Sequence, residues 1–261
     1  MKVITMLNEK GGVGKTTLAT TLACGLAMTG AKVVLADSDM QANATTALGL
    51  AMQPGFYNLV VRPEETEIRD VLRRVGNEVI GGTPQGALWV IPGNSENMHL
   101  ASSVSDADVL LSAIAPLDDV VDYLIFDTSP SQTMFHIAVY VATDAILYPT
   151  LLEAWSVKGV SQAWARRVAA DKFRTSSGLE PIQVLGVQPV RTQSTNAQSA
   201  MLDTLTQRYG DVVWPSIPQR TAWSEAAILG VSVFAHAPQS AAAEDARTFA
   251  ERVVEVVGYG V

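Results

Sequence analysis

Eight residues near the start of the chain constrain its fold more than any other part of the sequence. They read Lys-Gly-Gly-Val-Gly-Lys-Thr-Thr and occupy residues 10–17. An apolar run at residues 2–7 predicts a buried strand before them, and a helix is predicted from Lys15 to Met28. Glycine lets backbone N–H groups turn toward phosphate oxygens, and the N-terminus of a helix attracts negative charge. This order of strand, glycine turn and helix predicts a phosphate-binding loop.

The match to the common P-loop pattern G-x-x-x-x-G-K-[ST] is incomplete, because Asn8 stands where that pattern has its first glycine. The final Gly-Lys-Thr agrees with the pattern. We expect Lys15 to neutralise the β- and γ-phosphates, as a binding and a catalytic residue, and Thr16 to coordinate Mg²⁺ through its hydroxyl. The residues of this deviant P-loop expected to contact the nucleotide are Gly11, Gly12, Val13, Gly14, Lys15, Thr16 and Thr17.

Short apolar runs alternate with helical stretches along the chain, which is typical of a parallel sheet wrapped by helices. We therefore predict an α/β fold, a mostly parallel twisted sheet flanked by helices, that forms one P-loop domain over residues 1–261. Further strands are predicted at 32–37, 87–92, 144–149 and 182–187, and within 118–127. The segment 211–218 is predicted to be a shorter edge or irregular strand, because it contains Pro215. Further helices are predicted around 64–75 and at 155–174, 196–209 and 240–257.

Two predicted strands end in a carboxylate, at Asp37 and Asp127, and Asp39 follows the first of them closely. The carboxyl ends of parallel strands face the ligand crevice in such sheets. The segment Tyr123–Asp127, four apolar residues and an aspartate, is typical of a Walker B strand, whose carboxylate holds Mg²⁺ through water. Alternatively, Asp37 and Asp39 are loop carboxylates that cap the next helix.

The composition excludes several classes of protein. With 48% hydrophobic and 17% charged residues, the chain is neither disordered nor collagenous. The single Cys24 cannot form an intramolecular disulfide or a multi-cysteine metal site. No apolar run reaches about 18 residues, and the N-terminus lacks the apolar region of a signal peptide. We expect a cytoplasmic protein that has no membrane segment.

The charge is distributed unevenly. The net charge of −8 argues against a protein that coats nucleic acid over its whole surface. Residues 151–230 nevertheless carry eight basic and six acidic side chains. This excess is compatible with a small cationic face on an acidic body, and equally with an ordinary solvated helix surface.

Lys10 has no role in an ordinary P-loop, and with it the loop reads K-G-G-x-G-K-[ST]. In this motif the chain resembles the ParA/MinD group of deviant Walker-type ATPases. The segment Asp37–Asn43 agrees with that group's D-x-D-P-Q-G-N, except that Met40 and Ala42 replace the usual proline and glycine. The order of the motifs fits ParA proteins across nearly the whole chain. Because the P-loop begins at residue 10, we expect the small form without an N-terminal helix-turn-helix domain.

The resemblance implies that ATP and Mg²⁺ bind, and that two chains form a homodimer around a pair of ATP molecules. In such a dimer, Lys10 reaches the partner's phosphates as a further binding and catalytic residue. The resemblance assigns Asp39 to activation of the attacking water and Asp37 to the Mg²⁺ shell. It places Pro218 against the adenine.

The resemblance also implies DNA binding that ATP controls and that ignores base sequence, together with association with the nucleoid. An activating partner, a ParB-like or cargo-adaptor protein, would stimulate hydrolysis and release the DNA. Such contacts involve phosphates and weaken steeply with salt. The candidate DNA contacts are Arg166, Arg167, Lys172, Arg174, Arg191 and Arg220.

Two other functions stay open. A MinD-like regulator that cycles on membranes uses a basic amphipathic helix, whereas residues 240–257 are net acidic. We predict that the apolar stripe from Phe249 to Val257 packs in the core, and we expect no membrane partner. A metabolic P-loop enzyme is the other alternative. The nitrogenase-reductase type needs more cluster cysteines than Cys24, and dethiobiotin-synthetase-like ligases commonly lack a lysine equivalent to Lys10.

Overall fold

The computed structural model describes residues 1–129 and 134–258, and the strands within them form one sheet. They are β1 (Lys2–Met6), β2 (Lys32–Asp37), β3 (Arg73–Arg74), β4 (Ala87–Ile91), β5 (Tyr123–Asp127), β6 (Ala145–Thr150), β7 (Gln183–Thr192) and β8 (Ile217–Pro218). Their order across the sheet is β3-β4-β2-β5-β1-β6-β7-β8. Each neighbouring pair is parallel except β3 with β4. The predicted fold class, a mostly parallel sheet flanked by helices, is confirmed.

Helices cover both faces of this sheet. They are α1 (Lys15–Met28), α2 (Asn43–Ala47), α3 (Phe56–Val61), α4 (Ile68–Val71), α5 (Asn77–Ile80), α6 (Leu100–Ser103), α7 (Val109–Ile114), α8 (Met134–Ala142), α9 (Ala154–Ser176), α10 (Asn196–Tyr209), α11 (Thr221–Leu229), α12 (Val233–His236) and α13 (Ala241–Val257). Short 3₁₀ helices occupy Ser95–His99, Ala115–Leu117 and Gly210–Val212.

The strands are buried on both faces, which explains why they read as continuous apolar runs. In β2, Val33 and Leu35 pack in the core layer that contains α1 and α13, while Val34 and Ala36 pack in the layer that contains α3, α7 and α8. The helices α9 and α10 extend this second layer over β6 and β7. Successive residues of a strand therefore serve opposite layers of the core.

Some of the predicted elements differ in extent from those of the structure. The helix expected around 64–75 is reduced to α4, because β3 follows it and pairs with the edge strand β4. The strand expected within 118–127 is confirmed as β5, which begins at Tyr123, since the preceding acidic residues form a turn in which the Asp122 carboxylate accepts a bond from the backbone N–H of Lys32 at 2.7 Å. The strand expected at 211–218 is reduced to β8, because residues 210–212 form a 3₁₀ helix and Pro215 has no N–H to donate.

The last helix, α13, packs in the core as predicted. Phe249 and Val253 are buried, and Val256 and Val257 are half-buried against the same core layer. Within the two described ranges, no helix combines the length and the apolar character needed to cross a membrane.

Three neighbouring strands end at the same level of the sheet. Asp127, the last residue of β5, is in register with Met6 on one side and with Asp37 on the other. The loops after β1, β2 and β5 therefore leave the sheet side by side. This edge of the sheet is where an open α/β fold binds its ligand.

Candidate nucleotide-binding site

The loop after β1 has the backbone geometry of a phosphate cradle. Gly12 and Gly14 have φ values of 75° and 89°, in the left-handed region that favours glycine. Gly14 directly precedes α1, and its carbonyl accepts the bond from the N–H of Leu18 at 2.9 Å. The N-terminus of α1 is thereby directed at the space above the loop, where anions are stabilised.

The two lysines of this loop differ in their surroundings. The Lys15 side chain is buried, and its Nζ donates to the carbonyls of Asn8 at 3.2 Å and Lys10 at 3.1 Å. Burial lowers the pKa of Lys15, while the carboxylates of Asp127 and Asp39 act in the opposite direction. Lys10 is exposed. One ammonium group thus lies over the cradle, and the other is available at the surface.

Asn8 fixes the start of the loop, a role that the sequence analysis missed. Its buried side chain donates to the carbonyl of Pro149 at 2.8 Å, and its Oδ1 accepts from the N–H of Lys10 at 2.9 Å. α9 approaches so closely that a Cβ on Gly159 would lie 2.2 Å from Asn8 Oδ1. The asparagine that breaks the usual P-loop pattern therefore joins the loop to β6 and α9. A polar residue placed directly after a buried strand was the available signal.

The structure brings the predicted Mg²⁺ ligands Thr16 and Asp127 together. The Thr16 hydroxyl donates to Asp127 Oδ2 at 2.7 Å, and Asp127 Oδ1 is buried with no hydrogen-bond partner among the described residues. Burial raises the pKa of Asp127, and the nearby carboxylate of Asp37 raises it further. A cation beside Asp127 would relieve both effects.

The donor set suits magnesium. Mg²⁺ prefers oxygen ligands and is commonly held by one or two protein groups together with substrate phosphates. In the described part of the chain, no cluster of three or more His, Cys, Asp and Glu side chains forms an all-protein metal site. A hydroxyl and a carboxylate next to a phosphate cradle fit an ion that arrives with a nucleotide.

Asp37 serves mainly to shape the loop that follows β2. Its Oδ2 accepts bonds from the backbone N–H and the hydroxyl of Thr45, at 2.8 Å and 2.7 Å, and its Oδ1 accepts from the N–H of Asp39 at 3.3 Å. Burial raises the pKa of Asp37, while the bonds from Thr45 lower it. Because Thr45 lies in the first turn of α2, Asp37 also satisfies one of the N–H groups at the start of that helix, although Ala42 is its N-cap residue. A place for Asp37 in the Mg²⁺ shell stays a prediction.

The loop between Asp37 and α2 keeps a glycine-like conformation without a glycine. Ala42 has a φ of 49° and is fully buried, and left-handed backbone costs a residue other than glycine about 1–2 kcal/mol. Met40, at the position of the family's proline, is exposed. Asp39 directly precedes Met40, and its carboxylate accepts the N–H of Gln41 at 3.0 Å.

A cleft of about 830 Å³ connects these groups. The P-loop, the Asp39 loop, the 3₁₀ helix Ser95–His99 and Arg191 contribute to its lining. A second cavity of about 490 Å³ shares Gly14, Thr17 and Arg191 with the first and includes Pro218. Pro218 therefore lies beside the cradle, where an adenine contact was predicted.

The expectation that Arg174 contacts DNA is wrong for this structure. Its side chain is buried and donates to the carbonyls of Val141 and Glu180, with the Asp144 carboxylate 3.7 Å away. Buried charges need such partners. Arg174 thus closes the C-terminal end of α9 instead of presenting its charge to solvent.

The expectation for Arg167 is corrected in the same way. Its Nη1 lies 2.6 Å from Asp171 Oδ2, and only 15% of the side chain is exposed. Arg167 and Arg174 lie seven residues apart and therefore share one face of α9, and this face points toward the protein interior. Periodicity identifies a face of a helix and leaves open whether that face is covered.

The other four basic candidates do not share one neighbourhood. Arg166 pairs with Glu9 at 3.0 Å, next to the P-loop, and Arg220 pairs with Asp245 of α13 at 2.6 Å. Arg191 lines the cleft, with a φ of 53°. Lys172 is exposed on α9.

Comparisons with known proteins establish the family. Residues 1–175 match the AAA_31 family model, described as an AAA domain. The ParA family protein of Chlamydia pneumoniae is 31% identical over 256 residues, which cover 94% of this chain and 94% of that protein. The chain belongs to the ParA family. The chromosome-partitioning ATPase Soj of Thermus thermophilus is 28% identical over 255 residues, covering 96% of this chain and 94% of Soj. The resemblance to ParA partition ATPases is therefore confirmed.

A solved structure confirms the fold of this ParA family member. An aspartate-to-alanine variant of Cyanothece McdA in complex with ATP superimposes with a TM-score of 0.80 at 24% identity. The alignment covers 100% of this chain and 98% of McdA. The P-loop fold predicted from the sequence is thus shared with an ATP-bound protein.

Proposed function

We propose that this ParA family protein is a Mg²⁺-dependent partition ATPase whose ATP-bound homodimer binds DNA without regard to sequence. A ParB-like or cargo-adaptor protein stimulates hydrolysis, which separates the dimer and releases the DNA. The cycle moves plasmid or chromosomal DNA, or a protein cargo, over the nucleoid. The relatives support this proposal, since Soj of Thermus thermophilus is a chromosome-partitioning ATPase.

The observation that carries the proposal is that one lysine of the P-loop is buried and the other is exposed. Lys15 is buried and bonds to its own loop, where it meets the phosphates of a bound nucleotide. Lys10, in the same loop, is exposed. An ammonium group at the surface beside a phosphate cradle fits contact with the nucleotide of a second copy of the chain.

Hydrolysis would use the residues gathered at the sheet edge. Asp39 would orient a water molecule and accept its proton while the water oxygen bonds to the γ-phosphorus. The bond from the γ-phosphorus to the β–γ bridging oxygen breaks, and ADP leaves. Lys15 and, from the partner, Lys10 would stabilise the charge that develops on the phosphate oxygens. Thr16 and Asp127 would hold Mg²⁺, which neutralises the β- and γ-phosphates when bound.

DNA contacts would come from the basic side chains that stay near the surface. Lys172 is the exposed candidate on α9, and Arg166 and Arg220 are partly exposed beside their carboxylate partners. Each side chain supplies a weak phosphate contact, and a dimer presents every contact twice. Nucleotide state would thereby set DNA affinity through the oligomeric state.

The first experiment measures molar mass by light scattering with a non-hydrolysable ATP analogue and Mg²⁺. The wild-type protein should form a dimer. Lys10→Ala should stay monomeric at nucleotide saturation, because it removes the charge that reaches across. The matched control is Lys32→Ala, an exposed lysine at the opposite edge of the sheet, which should dimerise normally. A wild-type protein that stays monomeric would contradict the proposal.

The second experiment measures retention on DNA and flotation with anionic phospholipid vesicles. We expect retention on DNA of unrelated sequences with the analogue but not with ADP, and a steep decline as salt rises. Flotation that requires ATP, without DNA retention, would instead identify a MinD-like cycle on membranes.

A further inference from the structure

Asn97 holds the loop that carries Asp39. It lies in the 3₁₀ helix Ser95–His99, which follows β4, and its side chain is buried. Its Nδ2 donates to the carbonyl of Asp37 at 3.1 Å and to the carbonyl of Asp39 at 3.3 Å. A single amide group therefore bonds to both residues that frame the turn after β2.

The orientation of this amide is determined by its partners. With Nδ2 toward the loop, two carbonyl oxygens meet a donor, whereas the flipped amide would place Oδ1 against both. Oδ1 is buried and has no hydrogen-bond partner within residues 1–129 and 134–258. A buried polar atom left in this way is unfavourable by about 1–3 kcal/mol. The side-chain bonds that the structure assigns to Asn97 all go to the Asp39 loop.

The same segment also packs tightly against the loop. A Cβ on Gly93, directly after Pro92, would lie 2.9 Å from the carbonyl oxygen of Asp37 and 3.0 Å from that of Asp39. The N–H of Gly93 donates to the Thr45 hydroxyl at 3.0 Å, and that hydroxyl donates to Asp37. The segment after β4 thus contacts the loop through both its backbone and its side chains.

The carboxylates of Asp37 and Asp39 bond to the backbone of this loop, but the loop lacks the proline and the glycine of the family's segment. Ala42 occupies a left-handed conformation, and Met40 supplies none of the rigidity of a proline. The position of the Asp39 carboxylate consequently depends on external contacts to the backbone as well as on the bonds within the loop. Asn97 supplies two of them.

We propose that Asn97 is a positioning residue for hydrolysis, which holds the Asp39 carboxylate at the distance and angle that the attacking water requires. This inference rests on the proposed ATPase function. Asn97 lines the cleft, but its described side-chain bonds reach no residue of the P-loop. Its loss should therefore lower turnover while nucleotide affinity, which depends on Lys15 and the cradle, persists.

The test compares two substitutions at Asn97 with one at its neighbour. Asn97→Ala removes both bonds, and the isosteric Asn97→Asp replaces the donor by an acceptor that faces two carbonyls. We expect kcat to fall about tenfold or more in each variant, and the dissociation constant for a non-hydrolysable analogue to change less than about threefold. The control is Glu96→Gln, on the same 3₁₀ helix with its side chain toward Arg62, which should leave both values unchanged. A kcat retained in Asn97→Asp, or an equal loss of kcat and analogue affinity, would overturn the proposal.

Hydrogen–deuterium exchange tests the proposal without relying on hydrolysis. The amides of residues 38–46 should exchange about tenfold faster in Asn97→Ala than in Glu96→Gln, whereas those of residues 15–28 should not change. Equal exchange of residues 38–46 in the two variants would overturn the role of Asn97. A wild-type protein that binds ATP without hydrolysing it would instead defeat the proposed function, and the exchange measurement would still decide on Asn97.

Discussion

The carboxyl edge of the sheet and the helix α9 both carry functional residues predicted from sequence. In the structure, those at the sheet edge come together, whereas those on α9 do not. At the sheet edge, Thr16 and Asp127 are in hydrogen-bond contact, although they lie 111 positions apart in the chain. On α9, Arg166 and Arg174 diverge: Arg166 pairs with Glu9, next to the P-loop, and Arg174 is buried in the interior. The residues close in sequence are separated, and the distant ones meet.

This difference arises because the sheet-edge motifs depend on backbone geometry, whereas the charge pattern of α9 depends on its surroundings. A glycine loop between a strand and a helix can have few backbone shapes, and parallel strands bring their ends to one edge. The charge pattern of a helix depends on which carboxylates and carbonyls pack against it, and these come from other elements. Motifs tied to backbone geometry are therefore predictable, whereas patches of like charge are not.

The largest effect should come from Lys15→Ala. Charge-assisted bonds to two phosphates contribute about 3 kcal/mol, so the affinity for ATP should fall about a hundredfold. Calorimetric titration with a non-hydrolysable analogue measures it. Lys10→Ala is the matched control, because its exposed side chain contributes little to binding by one chain. Equal losses in both variants would contradict the distinction between the two lysines.

Arg174→Met should be costly for stability. The substitution leaves the buried Val141 carbonyl and the Glu180 carbonyl without this donor and removes the charge beside Asp144, so the free energy of unfolding should fall by about 3 kcal/mol. Urea denaturation at neutral pH provides the measurement. Lys172→Met, on the exposed side of the same helix, should change that free energy by less than about 0.5 kcal/mol. Unaltered stability of Arg174→Met would restore it as a surface candidate.

Arg191→Gln should act on nucleotide binding and not on DNA binding. Since Arg191 lines both cavities, we expect the affinity for ATP to fall about fivefold, through loss of one exposed charge contact. The affinity of the analogue-saturated dimer for DNA should be retained. Arg208→Gln, an exposed arginine on α10, is the control for the loss of charge. A lower DNA affinity at nucleotide saturation would return Arg191 to the DNA-binding set.

Lys172→Ala should have the smallest effect. Removing one phosphate contact per chain should weaken DNA retention about twofold to fivefold and lower its salt dependence. Binding to DNA of several unrelated sequences, followed over a salt series, measures both quantities. An unchanged salt dependence would mean that α9 does not contact DNA.

The sequence predicts the sheet better than its surroundings. β2 and α10 begin and end at the predicted residues, because buried apolar runs and helical periodicity are signals within the element itself. The helix predicted near 64–75 is shorter than predicted, because Arg73 and Arg74 pair with β4, a contact that only the folded chain creates.

The candidate site follows the same rule. The P-loop and the strand-end carboxylates could be predicted, since they continue directly from buried strands. Asn97 could not, because its role depends on how the segment after β4 folds over the loop after β2. The burial of Arg174 could not be predicted either, because its acceptors, the Val141 and Glu180 carbonyls, are backbone atoms of other segments.

The register of β2 against β5 has a consequence for how this sheet tolerates length changes. Asp37 and Asp127 share one rung of the ladder, and side chains alternate between faces along a strand. Deleting a single residue inside β5 would turn Asp127 to the other face and withdraw it from Thr16. At the far margin of the sheet, β3 contributes only two residues. Insertions or deletions there leave the pairing of Asp37 with Asp127 intact. Variation in length among natural homologues should therefore accumulate around β3 and be absent from β5.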